Sequence, residues 1–221
     1  MSEQVVAMML AFATRLHVLI RAQSGEGNVA RVVTRSKWDL SGQHVLVLGL
    51  GDIGQAVATR AASLGLHVTG VRRSPIPTPG CREVVGQSDF RAYLARTDHL
   101  VSCLPLTAET RHLIGDAELR TLPRGAHVYN VGRGSVIDGG ALRRALVDGH
   151  LGGAGLDCVE PADVPAPGDP LWTHPDVILG QHTSGHSPQN SRAITAIFSD
   201  NLNRFLAGEA LRNVVDPTRG Y

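Results

Sequence analysis

From residue 44 onward, short runs of β-branched and aliphatic residues alternate with longer stretches of helical spacing. HVLVLGL (44–50) reads as a strand, and DIGQAVATRAASLG (52–65) as a helix with Gly65 as its C-terminal stop. HVTGV (67–71) is a second strand. SDFRAYLAR (88–96) reads as a helix capped by Ser88 or Asp89, and HLVSCL (99–104) as a strand. A short helix (116–122), a strand (126–131) and the helix DGGALRRALVDG (138–149) follow. GGAGLD (152–157) and DVILG (176–180) predict two more strands, and 188–208 a closing helix. The Pro-rich stretch 161–170 is a surface loop. This alternation predicts an α/β fold, a doubly wound parallel sheet with flanking helices on both faces. Ahead of it, MSEQVVAMMLAFATRLHVLI (1–20) reads as one helix, apolar on more than one face between Val5 and Leu10 and so expected to pack on both sides.

Composition narrows the function classes. Lys plus Arg is 21 against 20 for Asp plus Glu, a net charge of +1, which gives no electrostatic reason to expect nucleic acid or an anionic membrane as partner. The three cysteines, Cys81, Cys103 and Cys158, form no CxxC pair, so the expectation is no disulfide framework, no metal site and a cytoplasmic location. The apolar start carries Glu3, Arg15 and His17, and it has neither the basic leader of a signal peptide nor a run of about 18 apolar residues that could span a membrane.

The chemistry begins at GLGDIG (49–54), which follows a strand and opens a helix. That is the context of a dinucleotide-binding, Rossmann-like turn: Gly49 for the tight turn, Gly51 for close approach to a pyrophosphate, Gly54 for close helix–strand packing. The phosphates would meet free N–H groups and the positive end of the helix dipole. At the end of the second strand, where an acid would hold the ribose hydroxyls of NAD, this chain has Arg72, Arg73 and Ser74. Two guanidinium groups and a hydroxyl suit a 2′-phosphate, so the expected cofactor is NADP in preference to NAD.

VLVLGLGDIG (45–54), CLPLTAETRHLI (103–114), NVGRGSVID (130–138), GAGLDCVEP (153–161) and HTSGHSP (182–188) occur in that order. With these motifs the chain resembles the D-isomer-specific 2-hydroxyacid dehydrogenases, particularly their glyoxylate/hydroxypyruvate reductase-like members. The resemblance implies hydride transfer between a nicotinamide cofactor and a small 2-oxo or 2-hydroxy acid. It assigns Arg133 to the substrate carboxylate and carbonyl, and His182 to the general acid, which also borders the cofactor. Asp52 and Ile53 would lie over the pyrophosphate, Cys103 and Pro105 border the adenosine side, Val131 and Arg133 flank the nicotinamide ribose, and Asp157 holds the carboxamide. Gly185, in HTSGHSP, joins the implied cofactor contacts. A guanidinium fork matches a carboxylate, and an imidazole with an ordinary pKa near 6.5 can donate a proton at neutral pH.

The family pattern places a glutamate five residues after the aspartate of LD, which here is Ala162. Counting back from PLW (170–172) reaches Asp163 instead, taken as the acid that supports His182, with Glu160 ranked behind it. The implied organisation is an interdomain or dimer helix and linker over 1–36, the nucleotide-binding domain over 37–186, and a C-terminal helix and tail over 187–221. A substrate domain that relatives carry ahead of residue 1 is expected to be missing, and a homodimer is expected. The displaced acid keeps a second class open, a non-catalytic NAD(P)-binding module.

Overall fold

The computed structural model describes residues 1–23, 28–162 and 164–216. Its strands are β1 (His44–Leu48), β2 (His67–Val71), β3 (Glu83–Val85), β4 (His99–Ser102), β5 (His127–Asn130), β6 (Gly153–Leu156) and β7 (Val177–Leu179). They form one sheet in the order β3-β2-β1-β4-β5-β6-β7, and every pair is parallel. Strands with both faces covered can be apolar throughout, and β4, β5 and β6 are buried at all four positions. The helices are α1 (Ser2–Ala13), α2 (Leu16–Ala22), α3 (Ala30–Ser36), α4 (Asp52–Ser63), α5 (Asp116–Thr121), α6 (Gly139–Val147) and α7 (Pro188–Ala207). Strand order reverses between β1 and β4, so the loops after these two strands diverge and leave a crevice at the sheet's C-terminal edge.

Contacts divide the chain into two compact units, Met1–His182 and Thr183–Tyr221. The N-terminal helices belong to the first. Val5, Met8, Met9, Phe12 and Ala13 are the buried residues of α1, at helical spacing on one face. Gly153 and Gly155 make room for them, since a Cβ on either would stand 3.0 Å from Phe12 or 2.7 Å from Met8. Burial on both sides, expected for 1–20, is therefore not found: Leu10, Leu16 and Ile20 are exposed. Nor is 1–20 one helix. Arg15 takes a left-handed conformation (φ 57°) and bends α1 from α2 by 74°. The bend is held by an ion pair from Arg15 to Asp176 (2.9 Å), with His17 3.5 Å from the same carboxylate, while Arg21 donates to the carbonyls of His174, Pro175 and Val177 just ahead of and within β7. No single helix among the described residues is long and apolar enough to cross a membrane.

Two other expectations change. Residues 88–96 form a 3-10 helix (Phe90–Arg96) rather than an α-helix. Only Phe90 and Leu94 are buried there, too few to hold a full α-helical face, and Ser88 donates to Asp89 (2.9 Å) instead of either side chain capping the turn. Strand β3 was not legible because it has three residues and only one of them is buried. In the second unit, α7 starts with Ser187 accepting from the Asn190 N–H (3.0 Å) and ends at Gly208 (φ 71°).

Under α1 lies a polar cluster with consequences for stability. His99 is hydrogen-bonded to Gln43 (2.8 Å) and Tyr129 (3.1 Å), and its ring lies 5.7 Å from that of His127, which also contacts Phe12 and Trp38. Burial pushes His99 down to about 4 from the ordinary 6.5. Burial, with the charge of His99 added, pushes His127 down to about 3. Both are depressed bases, so the unfolded chain takes up protons below pH 6.5 that the folded chain refuses. Stability should be constant above about pH 6.5 and fall toward pH 4 by about 1.4 kcal/mol per pH unit for each histidine. Chemical denaturation from pH 7.5 to 4.5 measures this, and His127→Phe should roughly halve the slope; an unchanged slope would remove His127 as a cause.

Gly54 supplies the second prediction. A Cβ there would collide with the carbonyl oxygen of Gly49, whereas a Cβ on Gly51 would meet nothing. Gly54→Ala should cost about 1–3 kcal/mol, an overpacking penalty, and lower Tm by several degrees. Gly51→Ala should leave Tm within about 1 °C, since surface changes without a contact cost little. Thermal melts of both variants decide it, and equal shifts would contradict the packing.

Candidate functional site

Every parallel strand ends on the same edge of the sheet, and the residues singled out in the sequence collect there. Gly49, at φ 90°, turns the chain off β1, and its N–H donates to Val71 at the end of β2 (3.0 Å). A Cβ on Gly49 would stand 3.0 Å from Leu104 and 3.3 Å from the Cys103 carbonyl oxygen, so the loop after β1 rests directly on the loop after β4. Gly51 precedes α4, whose start receives no side-chain cap. The N–H groups of the first turn, at Asp52, Ile53 and Gly54, have no partner in the helix itself. Open space in front of Gly51 and uncapped amides behind it make a cradle for an anion.

Arg72 leaves the sheet beside this cradle. Its N–H donates to Val85 (3.1 Å), and its half-buried side chain has no hydrogen bond or ion pair among the described residues. Arg73 reaches Glu109 at 3.8 Å, with both side chains more than half exposed, a pair of little energetic weight. Ser74 is exposed. Burial pushes the Cys103 thiol up to about 12, so it lines the crevice without nucleophilic character. The Pro105 carbonyl accepts from Thr110 (2.7 Å), which shapes the loop after β4.

Arg133 is positioned by its glycine neighbours. A Cβ on Gly132 would strike the Leu104 carbonyl, and one on Gly134 would lie 2.5 Å from the Val159 backbone. The segment after β5 is thus threaded between two others. Asn130 locks the turn, accepting from the Gly132 N–H (3.2 Å) and donating to the Arg133 carbonyl (3.0 Å). Val131 is buried beneath, its N–H on Ser102 (3.1 Å). The exposed Arg133 side chain, with one N–H on the Gly132 carbonyl (2.9 Å), faces a cleft of about 600 Å³ lined also by Leu106, Arg111, Ser135, Glu160 and Ala162.

Asp157 follows β6 and is buried; its carbonyl accepts from the His182 N–H (2.7 Å). Gly180 lets the chain pass over it, because a Cβ there would lie 2.5 Å from the Asp157 carboxylate. Gln181 and His182 are both left-handed (φ 54° and 57°), an unusual pair for non-glycine residues that turns the exposed His182 ring off the strand end. Gly185, whose carbonyl accepts from Asn190 (2.6 Å), lies in the second unit.

Of the two candidate acids, Asp163 lies outside the described residues, while Ala162 lines the cleft. Glu160 is committed elsewhere. One oxygen meets His112 Nε2 at 2.6 Å, the other accepts from the Gly139 N–H (3.1 Å), and Ser135 adds a third bond. Burial alone would raise this carboxyl, but these bonds outweigh it and hold it below the ordinary value. Sequence reasoning also missed Arg143. From α6 it donates to the Glu160 carbonyl (3.2 Å) and pairs with Asp169 at 2.5 Å, fastening both ends of the loop between them. Arg111 was quoted within a motif and not singled out; only the fold carries it to the rim of the cleft.

Comparison with known proteins agrees with this geometry. Residues 6–184 match the family described as D-isomer specific 2-hydroxyacid dehydrogenase, NAD binding domain. A glyoxylate/hydroxypyruvate reductase B from Pectobacterium carotovorum is 35% identical over 98% of this chain and 68% of its own length. The crystal structure of a D-isomer specific 2-hydroxyacid dehydrogenase from Xanthobacter autotrophicus Py2, in complex with NADPH and MES, superposes with TM-score 0.83 at 34% identity, covering 100% of this chain and 88% of that one. An NADPH-dependent glyoxylate/hydroxypyruvate reductase from Sinorhizobium meliloti, in complex with NADP and sulfate, gives 0.87 at 30% identity, covering 100% and 69%. The chain spans only 64% and 54% of two other curated relatives that it matches. With the glycine cradle, Arg133 and His182 on one edge of a doubly wound sheet, and with these matches, the chain belongs to the D-isomer specific 2-hydroxyacid dehydrogenases, over their NAD-binding domain.

Proposed function

We propose that this protein is an NADP-preferring reductase of a small 2-oxo acid of the glyoxylate or hydroxypyruvate type, with NAD as the weaker cofactor. The observation that carries the reading is the convergence on one sheet edge of an uncapped anion cradle, Arg133, His182 and an Arg72 side chain that has no ion pair among the described residues. The residues present fit the cofactor, which when bound would supply the hydride. The amides of Asp52, Ile53 and Gly54 would hold the pyrophosphate, with Arg72, Arg73 and Ser74 on the 2′-phosphate. Cys103 and Pro105 would border the adenosine side, Val131 the nicotinamide end, and Asp157 the carboxamide. Arg133 would clamp the substrate carboxylate and draw electron density from the carbonyl. His182 would give its proton to the carbonyl oxygen, so that one hydride and one proton convert a 2-oxo acid to a 2-hydroxy acid. Asp163 is the proposed support for His182. The exposed Leu10, Leu16 and Ile20 support a homodimer, and three cysteines with no CxxC pair support a reducing cytoplasm.

A second reading, a nucleotide-binding module without turnover, is favoured by Glu160 being bonded to His112 and by Ala162 standing where the family's acid is counted. The two readings separate in one assay. The reductase reading expects this chain to oxidise NADPH with glyoxylate or hydroxypyruvate, and His182→Ala to lower turnover by roughly 10²–10⁴ while leaving NADPH affinity intact. Cofactor binding without oxidation selects the module.

Cofactor choice is testable by fluorescence titration alone. NADPH should bind about 10–100-fold more tightly than NADH at low salt, as one or two charge-assisted bonds would give, and added salt should narrow the gap. Arg72→Asp should reverse the preference by repelling the 2′-phosphate and accepting from the ribose hydroxyl. Equal affinities in the unmodified chain would reduce the arginines to a solvated rim.

A further inference from the structure

We infer that Glu160 is a positioning residue for Arg133: from the loop after β6 its carboxylate ties together the segments that border the cleft, and the aim of the Arg133 guanidinium at a substrate carboxylate depends on that tie. This rests on the reductase reading and adds to it a residue that acts through another.

Among the described residues, the one side-chain hydrogen bond of Arg133 runs to the carbonyl of its chain neighbour Gly132 (2.9 Å). Such a bond moves with the backbone, so the direction of the guanidinium is set by whatever holds the segment from Gly132 to Gly139. Asn130 holds the upstream side from within the segment. Glu160 holds the downstream side from outside it. One carboxylate oxygen accepts from the Gly139 N–H (3.1 Å), where α6 begins, and Ser135, two residues past Arg133, adds a bond of its own. The other oxygen accepts from His112 Nε2 (2.6 Å), and the His112 backbone N–H donates to the Ser135 carbonyl (2.8 Å). A ring of bonds thus closes through the loops after β4, β5 and β6.

Little slack remains around this ring. A Cβ on Gly134 would lie 2.5 Å from the Val159 backbone and 3.0 Å from the Glu160 nitrogen, and one on Gly139 would lie 2.9 Å from the Glu160 carbonyl oxygen. Arg143 donates to that same carbonyl (3.2 Å). His112 holds a left-handed backbone (φ 50°), which persists in a non-glycine residue only where surrounding contacts impose it. Three donors converge on Glu160, and a carboxylate accepts from all of them without presenting a donor of its own. Their bonds outweigh burial and hold its pKa below the ordinary value, so it stays ionised at neutral pH. Glu160 also lines the cleft, so by charge alone its removal would strengthen the binding of an anion there. A positioning role demands the opposite sign.

The test titrates oxamate, an unreactive monoanion with a carboxylate next to a carbonyl, into the NADPH-loaded chain by calorimetry, and measures the KM for glyoxylate beside it. Glu160→Ala should weaken oxamate and raise the KM about tenfold or more, the scale expected when a clamp is displaced, with NADPH affinity within about twofold. Both constants are independent of how much of the preparation is folded. Glu160→Gln keeps the volume and one acceptor oxygen; it should recover part of the loss, and it decides the matter where Glu160→Ala does not fold. In an Arg133→Lys background the same change should cost about threefold or less, because the fork that Glu160 aimed is gone. Oxamate affinity unchanged or improved in both variants, an equal loss of NADPH affinity, or a full-sized loss in the Arg133→Lys background would overturn the inference. So would no binding of oxamate to the unmodified chain at millimolar concentration. Oxamate binding in the expected pattern without any oxidation of NADPH by glyoxylate would instead remove the reductase reading and leave the inference standing.

Discussion

At the C-terminal edge of the sheet, backbone lies against backbone at spacings no side chain would permit, and the functional groups hang from those contacts. Gly54 seats α4 on the Gly49 turn, Gly49 rests on the loop at Cys103 and Leu104, Gly132 presses on Leu104 from the other side, and Gly134 abuts Val159. The chain of contacts runs from the glycine cradle to the Arg133 cleft almost entirely through backbone, with the Leu104 side chain touching Gly49. It has a chemical consequence: close seating leaves the uncapped amides of α4 and the Arg133 guanidinium aimed outward from a rigid floor, so little reorganisation is needed when charge is bound there.

Charge is distributed on that floor with economy. About half of the described arginines have a carboxylate partner, such as Arg143 with Asp169 and Arg91 with Glu118. Arg72 and Arg111 have none among the described residues, and both stand at the edge where anions are expected. An arginine left without a partner near the surface costs little in water, yet it becomes a strong contact once a phosphate or carboxylate displaces that water. The net charge of +1 is a total over the chain and carries no sign of such local groups.

In the loop after β6, placement decides what each acid can reach. Arg143 fastens its two ends through the Glu160 carbonyl and the Asp169 carboxylate, which that guanidinium holds below its ordinary pKa. Glu160 is drawn toward His112 and α6 by three bonds, which is a structural assignment for an acid that precedes a proline at the expected kind of position. His182 takes its own placement from the main chain, through its bond to Asp157 and two successive left-handed residues.

The linear sequence by itself determined the parallel α/β architecture and the glycine turn, because each depends on local spacing: strand period, helix period, and glycine where φ or close approach demands it; Arg133 and His182 stood out only through the resemblance carried by the motifs that hold them. The interruptions of pattern were not legible. The bend at Arg15 depends on Asp176, which is 161 residues away in the chain and only 2.9 Å away in space. Leu10 of α1 and Leu16 and Ile20 of α2 stay exposed because the sheet offers a single surface to these helices. β3 is too short for its period to register, and the helix expected over 88–96 tightens to a 3-10 turn for want of buried positions. The commitment of Glu160 to His112 and the placing of Arg111 beside the Arg133 cleft were also decided only by the fold, since hydrogen bonds and charge balance are set between segments that the sequence lists far apart.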